Sequence, residues 1–191
     1  MSHSICPSCG QAGARERRVA EYDYKECGLP GVRLVASVLE TSCAQCGQHS
    51  VHIPKEGQLL QVIAVELLTR PRALSGAELR FLRKSCRLSQ AALADHLRKR
   101  RETVAEREAK SDPRLSEAED VWFRLVILRE FNALQARPAG SLLSAAQRER
   151  LARFTHDFTL RALELDAHGH RRLALCLQRS GDDWQAVGKA A

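Results

Sequence analysis

The sequence predicts an α+β protein: a small N-terminal β domain, then an all-α domain with a helical C-terminal extension. Three observations carry this. Cys6-Pro7-Ser8-Cys9 and Cys43-Ala44-Gln45-Cys46 form two CxxC pairs, and the chain between them reads as strands. Only 5% of residues are aromatic and the apolar content rests on Leu, Ala and Val, which favours helices. From residue 55 onward, Ser75, Ser89, Ser116 and Ser144 each stand just before an apolar-periodic segment, as helix caps do.

The two cysteine pairs come first. A tetrahedral zinc ion takes four soft donors at about 2.3 Å, and a CxxC turn aims two sulfurs at one point. Gly10 and Gly47 follow the pairs, and glycine lets the backbone leave such a knuckle at positive φ. Cys6, Cys9, Cys43 and Cys46 therefore read as a zinc ribbon holding one zinc per chain. A closed set of four thiolates leaves no open position for water or substrate, so the site is structural. Two disulfides or a dithiol redox pair are the alternatives. The 33 residues between Cys9 and Cys43 exceed the roughly 15–20 of a compact ribbon, so they must fold. Segments 15–26 and 32–40 alternate Val, Tyr and Leu with charge, Gly28-Leu29-Pro30-Gly31 turns between them, and 48–53 adds a short strand. Cys27 is surplus to the metal set. His3, His49 and His52 read as surface or supporting groups.

Length allows one or two domains. The N-terminus, MSHSICPSCG, has no apolar segment of a secretory leader, and no apolar run approaches the length of a membrane span. Seven cysteines, an odd number with two CxxC pairs, fit a reducing cytoplasm. Net charge is +7 and localised: residues 70–114 hold thirteen Lys/Arg against six Asp/Glu, while the flanks nearly cancel. Such a segment is either the footprint of a polyanion partner or a solvated basic face.

The helices follow in order. Residues 55–69 carry Leu59, Leu60, Ile63 and Leu67 on a broad apolar face and read as a connector. Ser75 and Glu78 form a capping box for Gly76–Cys86, which turns Leu79, Leu82 and Cys86 to one side. Ser89 caps Gln90–Leu97, with Ala92, Leu93 and Leu97 inward. Glu102–Ala109 follows with Val104 inward, and Pro113 closes the segment. Three short helices with tight turns and a basic surface fit a helix-turn-helix.

Here the chain resembles a known family. Leu88-Ser89-Gln90-x-x-Leu93-Ala94-x-x-Leu97, with Thr103-Val104 and Glu108, is similar to the Cro/CI (XRE) helix-turn-helix. Residues 74–84, LSGAELRFLRK, resemble the start of that domain where it is joined to a YgiT-type zinc finger. CPSCG, Gly28-Leu29-Pro30-x-Val32, Cys43-x-x-Cys46-Gly47 and Ile53-Pro54 match the finger itself. The resemblance covers about residues 5–135 and points to the MqsA-type antitoxins and regulators. It implies a regulator that binds double-stranded operator DNA, usually as a homodimer. In antitoxin members the zinc domain docks a toxin.

The departures fall on the DNA-reading part. Arg98-Lys99-Arg100 stands where the family has Gly-Val-Ser, and Ala105-Glu106-Arg107-Glu108 replaces Ser-Arg-Trp/Tyr-Glu. Arginine takes the positive φ of that glycine only at a cost of about 1 kcal/mol. Either Arg98, Lys99, Arg100, Arg101 and Arg107 contact phosphates, with Glu102 and Glu106 reading cytosines and Gln90 and Thr103 alongside, or operator recognition is lost or redirected. The second case leaves a protein-binding adaptor on the same scaffold.

Residues 115–136 predict a longer helix with Val121, Trp122, Leu125, Leu128 and the Ile127/Phe131/Leu134 row, too wide an apolar face for one small domain. It calls for a dimer contact or for packing by the tail. Arg137-Pro138-Ala139-Gly140 breaks it. Ser144 starts a helix to about Ala167 with Leu151, Phe154, Phe158 and Leu165 in a stripe and Gly169 after it, and Arg171–Arg179 reads as a last short helix. Cys86 and Cys176 read as small hydrophobes in helices. No P-loop, GxSxG or HExxH motif is present, and His156-Asp157 and His168-Gly169-His170 adjoin no nucleophile motif, so no enzyme is expected. The expected domains are 1–54 (zinc ribbon), 55–72 (connector helix), 73–136 (helix-turn-helix) and 137–191 (helical extension).

Overall fold

The computed structural model describes residues 4–6, 8–109, 115–137, 141–158, 175–181 and 183–187. It is a mixed α+β chain that divides into two compact units: 1–25, 31–56 and 173–191 in one, 26–30 and 57–172 in the other.

The first unit is a six-stranded sheet. Its strands are β1 (Ser4–Ile5), β2 (Ala12–Asp23), β3 (Val32–Cys43), β4 (His49–His52), β5 (Leu175–Ser180) and β6 (Asp183–Val187). The two long strands begin or end about three residues from their predicted limits. Lys25 and Glu26, expected in a strand, lie in a short 3-10 turn over Lys25–Cys27.

β3 organises the sheet. One edge pairs antiparallel with β2. The other edge is shared: Leu39–Ser42 pairs with β4, and Val32–Val35 pairs parallel with β5. The changeover falls at a β-bulge. Val19 faces Val38, but Glu21 faces Val35, so β3 carries one extra residue there, and Ala36 sits at φ 49°. A bulge bends and twists its strand. Here the Ser37 hydroxyl accepts the Arg179 backbone N–H at 3.0 Å, where β5 leaves the ladder.

The helix expected over Arg171–Arg179 is therefore a strand from Leu175, and Cys176 lies in β5 rather than in a helix. Two features explain the correction. The chain reverses between Ser180 and Asp183, which face each other across the two strands, with Gly181 at φ 59°. The hairpin also buries a large side chain: Leu177 and Trp184 are both 0% exposed. The Trp184 indole N–H donates to the Pro54 carbonyl at 2.9 Å, so the buried ring leaves no polar atom unpaired. Tyr24, Val32, Leu34 and Val38 complete the core of this unit.

The second unit holds the helices α1 (Glu56–Thr69, whose first residue belongs to the sheet unit), α2 (Gly76–Ser85), α3 (Gln90–Leu97), α4 (Arg101–Ala109), α5 (Glu117–Gln135) and α6 (Ala145–Phe158). The caps stand where they are predicted. Ser75 and Glu78 form a reciprocal capping box, Ser89 accepts the Ala92 N–H, and Ser116 pairs with Glu119 in a second box. The core draws on every helix, with Leu59, Ile63, Leu79, Leu82, Leu93, Val104, Ile127, Phe131 and Leu151 almost wholly buried.

A buried ion pair braces the unit. Arg124 and Asp120, both fully buried on α5, hydrogen-bond at 2.7 Å. Arg124 also donates to the Leu67 and Leu68 carbonyls at the end of α1, and Asp120 accepts the Leu74 N–H at 2.7 Å. A cation is well placed at a helix C-terminus, where carbonyls lack intrahelical partners. α6 is fastened to α1 by Arg150, which bonds Glu66 and Thr69, and to α5 by Asn132 and Thr155. The predicted continuation of α6 past residue 158, with Leu165 and Gly169, lies outside the described residues. Among them, no helix is long and apolar enough to cross a membrane.

Candidate functional site

The two knuckles are built alike. The Cys6 N–H donates to the Gln11 carbonyl at 2.9 Å, and the Cys43 N–H to the Gln48 carbonyl at 2.9 Å. Gly10 N–H returns to the Cys6 carbonyl, and Gly47 N–H to that of Cys43, at 2.9 and 3.0 Å. Gly10 and Gly47 have φ of 70° and 69°, the left-handed values that glycine adopts without strain. The same five-residue turn is made twice, once from the β1–β2 connection and once from the β3–β4 connection.

The turns face each other. The four Sγ atoms of Cys6, Cys9, Cys43 and Cys46 lie within 4.8 Å of one another. Two approaches cross between the knuckles: Cys6 to Cys46 at 3.7 Å and Cys9 to Cys43 at 3.8 Å. A tetrahedron of thiolates around a metal at about 2.3 Å has edges of about 3.8 Å. The cluster thus has the donors and size to coordinate a single metal ion. Both separations are far beyond the roughly 2.05 Å of a disulfide, and all four cysteines are free. Cys6 and Cys43 are buried, Cys9 is half-buried and Cys46 is exposed.

The electrostatics suit a thiolate site. Backbone N–H groups of Cys9 and Ser8 point at the Cys6 sulfur and pull its pKa down to about 6. Those of Cys46 and Gln45 lower Cys43 in the same way. The Gln48 N–H acts likewise on Cys46, but loss of solvent and the three neighbouring sulfurs outweigh it and push Cys46 up to about 12. Four thiols this close cannot all ionise alone; a cation among them is what would reconcile the charges. Cys27 is outside the cluster, with its thiol against the Leu29 carbonyl. His49 and His52 are exposed on β4. His3 lies outside the described residues.

The residues singled out for a polyanion divide into two groups. Arg98, Lys99, Arg100, Arg101, Glu102 and Glu106 are all exposed along the α3–α4 turn and the outer face of α4, and Thr103 is half-buried beside them. None of the six exposed residues has an ion-pair partner among the described residues. Gln90 and Arg107 face other side chains instead. Gln90 Nε2 donates to Glu108 at 2.9 Å, and Arg107 pairs with Glu119 of α5 at 2.5 Å.

The turn after α3 is left-handed at a residue that is not glycine. Arg98 takes φ 52°, ψ 42° at the end of α3. Its N–H reaches the Asp95 carbonyl at 3.1 Å, and the Lys99 N–H reaches that of Ala94 at 2.9 Å, which is a Schellman cap. Lys99 is exposed rather than tucked under the turn, so its charge stays in water. Elsewhere in the same three helices, Arg83 of α2 and Glu108 of α4 make a two-point ion pair, and Arg83 also donates to the Leu88 carbonyl at 2.7 Å. One buried cluster thus ties α2, α3 and α4 together.

Trp122 departs from expectation. It is predicted on the apolar face of α5 but is 65% exposed, while its neighbour Phe123 is 5% exposed. Periodicity cannot separate two adjacent aromatics at the border of a face. No protein-family model matches this chain, and neither a curated protein nor a solved structure does.

Proposed function

We propose that the chain is a zinc-stabilised, DNA-binding transcriptional regulator with an α2–α3–α4 helix-turn-helix. The observation that carries this reading is the run Arg98–Arg101: four consecutive cations, all exposed and without ion partners among the described residues, at the entry of an exposed helix. Unpaired cations on a rigid turn are suited to phosphates, whose counterions they displace. α4 then lies against base edges, and Glu102 and Glu106, one turn apart, accept from cytosine amino groups. The Arg83–Glu108–Gln90 cluster holds the three helices at fixed angles, as groove recognition requires. Cys6, Cys9, Cys43 and Cys46 hold one structural zinc, which supplies charge balance and a cross-link to a sheet too small to be stable by its apolar core alone. No enzymatic role is part of this reading. A homodimer and an antitoxin role with a toxin bound at the zinc domain follow only from the family resemblance, and a cytoplasmic location only from the cysteine pattern.

The test is selection of duplexes from a random pool, followed by measurement on the selected site. Arg101→Ala should weaken binding to all duplexes about equally, and Glu106→Ala should change the base preferred at one position. A chain that selects no sequence while still capturing a protein partner is the adaptor, a reading that Gln90, turned inward to Glu108, favours.

A further inference from the structure

Beside the α3–α4 turn lies a groove of about 700 Å³ that shares Arg98 and Lys99 with the DNA-binding reading but has an aromatic wall that reading leaves unused. Its size is in the range of small-molecule sites. Phe123 and Leu97 contribute apolar surface, and the exposed Trp122 indole lines it. The other tryptophan the structure describes, Trp184, is fully buried, so exposure of Trp122 is not the general condition of aromatics in this chain. Arg98 and Lys99 form the cationic side of the groove, and neither has an ion partner among the described residues. The carboxylate that also lines it, Glu119, is engaged by Arg107 and Ser116, and His96 is held by Arg129.

We propose that this groove binds a planar aromatic anion, its ring against Trp122 and its carboxylate, sulfonate or phosphate on Arg98 and Lys99. Three properties select that class. An aromatic face in a concave site favours a flat ring, because stacked and edge-on pairs are worth more than their buried area. Two adjacent free cations favour an anion over a neutral ligand. The volume accommodates one or two fused rings and not a folded partner. A consequence follows for regulation: the ligand occupies the same two cations that are assigned to phosphates, so ligand and duplex compete. The competition rests on the DNA-binding reading; the binding itself does not.

The experiment is isothermal titration calorimetry of the full chain with 1-anilinonaphthalene-8-sulfonate, without DNA. One saturable site per chain is expected. Trp122→Ala and the double variant Arg98→Ala/Lys99→Ala should each weaken it at least tenfold, with circular dichroism unchanged. N-phenyl-1-naphthylamine, the same rings without the sulfonate, should bind at least tenfold more weakly. Equal affinity in both variants, or equal affinity for the neutral analogue, overturns the proposal. So does concentration-dependent doubling of mass that Trp122→Ala abolishes, because the groove would then be occupied by a second copy. Failure of the titration leaves duplex binding, measured separately, untouched, and failure of duplex binding leaves the groove untouched.

Discussion

The Arg83 guanidinium holds the Glu108 carboxylate through hydrogen bonds of 2.5 and 2.8 Å, with the Glu108 side chain 0% exposed. Breaking such a pair from one side strands the other charge in the interior. Glu108→Ala should destabilise the helical unit by about 3–5 kcal/mol, read by denaturant unfolding. Replacing both partners with apolar residues of similar size should cost much less. Equal losses in the single and double variants would contradict a buried, coupled pair.

The same group sets an acid limit. Burial alone would raise the Glu108 pKa, but hydrogen bonds from Arg83 and Gln90 outweigh it and hold the carboxyl below its ordinary 4.5. Glu78 is lowered too, with Arg70 and Ser75 overcoming its desolvation. A depressed folded pKa contributes stability that is present above the unfolded value and lost as pH falls through the folded one. Thermal stability of the helical unit should therefore drop progressively below about pH 4.5. Glu108→Gln should flatten that decline; an unchanged profile would place the acid-sensitive group elsewhere.

The turn at Arg98 trades stability for charge. Arg98→Gly relieves a left-handed residue and should stabilise the unit by about 1 kcal/mol. Arg100 stands just before α4 but has no acceptor for its first N–H groups, so Arg100→Ser should add a further stabilisation of about 1 kcal/mol. Both changes should weaken duplex binding while raising the melting temperature. Variants that gain stability and bind DNA as well as the parent would show that neither cation meets a phosphate.

The C-terminal hairpin belongs to the sheet, so damage there should be felt in the N-terminal unit. Trp184→Ala should cost about 3–5 kcal/mol, and amide exchange in Val32–Val35, the segment that pairs with β5, should accelerate. Protection unchanged at those amides would mean that β5 is not paired to β3.

Much of this was legible because it is local. A CxxC turn with its glycine, a serine with glutamate three residues on, and Leu79 and Leu82 on one face are decided within a few residues of chain. The strand at Leu175–Ser180 was not legible, because Leu-Cys-Leu suits helix or strand and its partner is Val32–Val35, far away in sequence. The positive φ of Arg98 could be anticipated as a cost, but not whether the turn would accept it. Gln90 turned inward because Glu108, eighteen residues on, competes for it. The exposure of Trp122 was decided by how α5 is rotated within the unit.

The metal centre has a direct check in elemental analysis. One zinc per chain is expected, lost in Cys43→Ser together with order in β1–β4, and retained in Cys86→Ser, whose thiol is buried on α2's C-terminal turn, outside the cluster. Metal that survives Cys43→Ser would rule out the four-sulfur site.

The central claim is that Arg98–Arg101 meet DNA phosphates, and the salt dependence of duplex affinity tests it most directly. With the selected duplex, four phosphate contacts should make log K fall against log salt with a slope of about −3 to −4 per bound chain. Arg100→Ala and Arg101→Ala should each reduce that slope by about 1. A slope near zero, or one that neither substitution changes, would contradict the account.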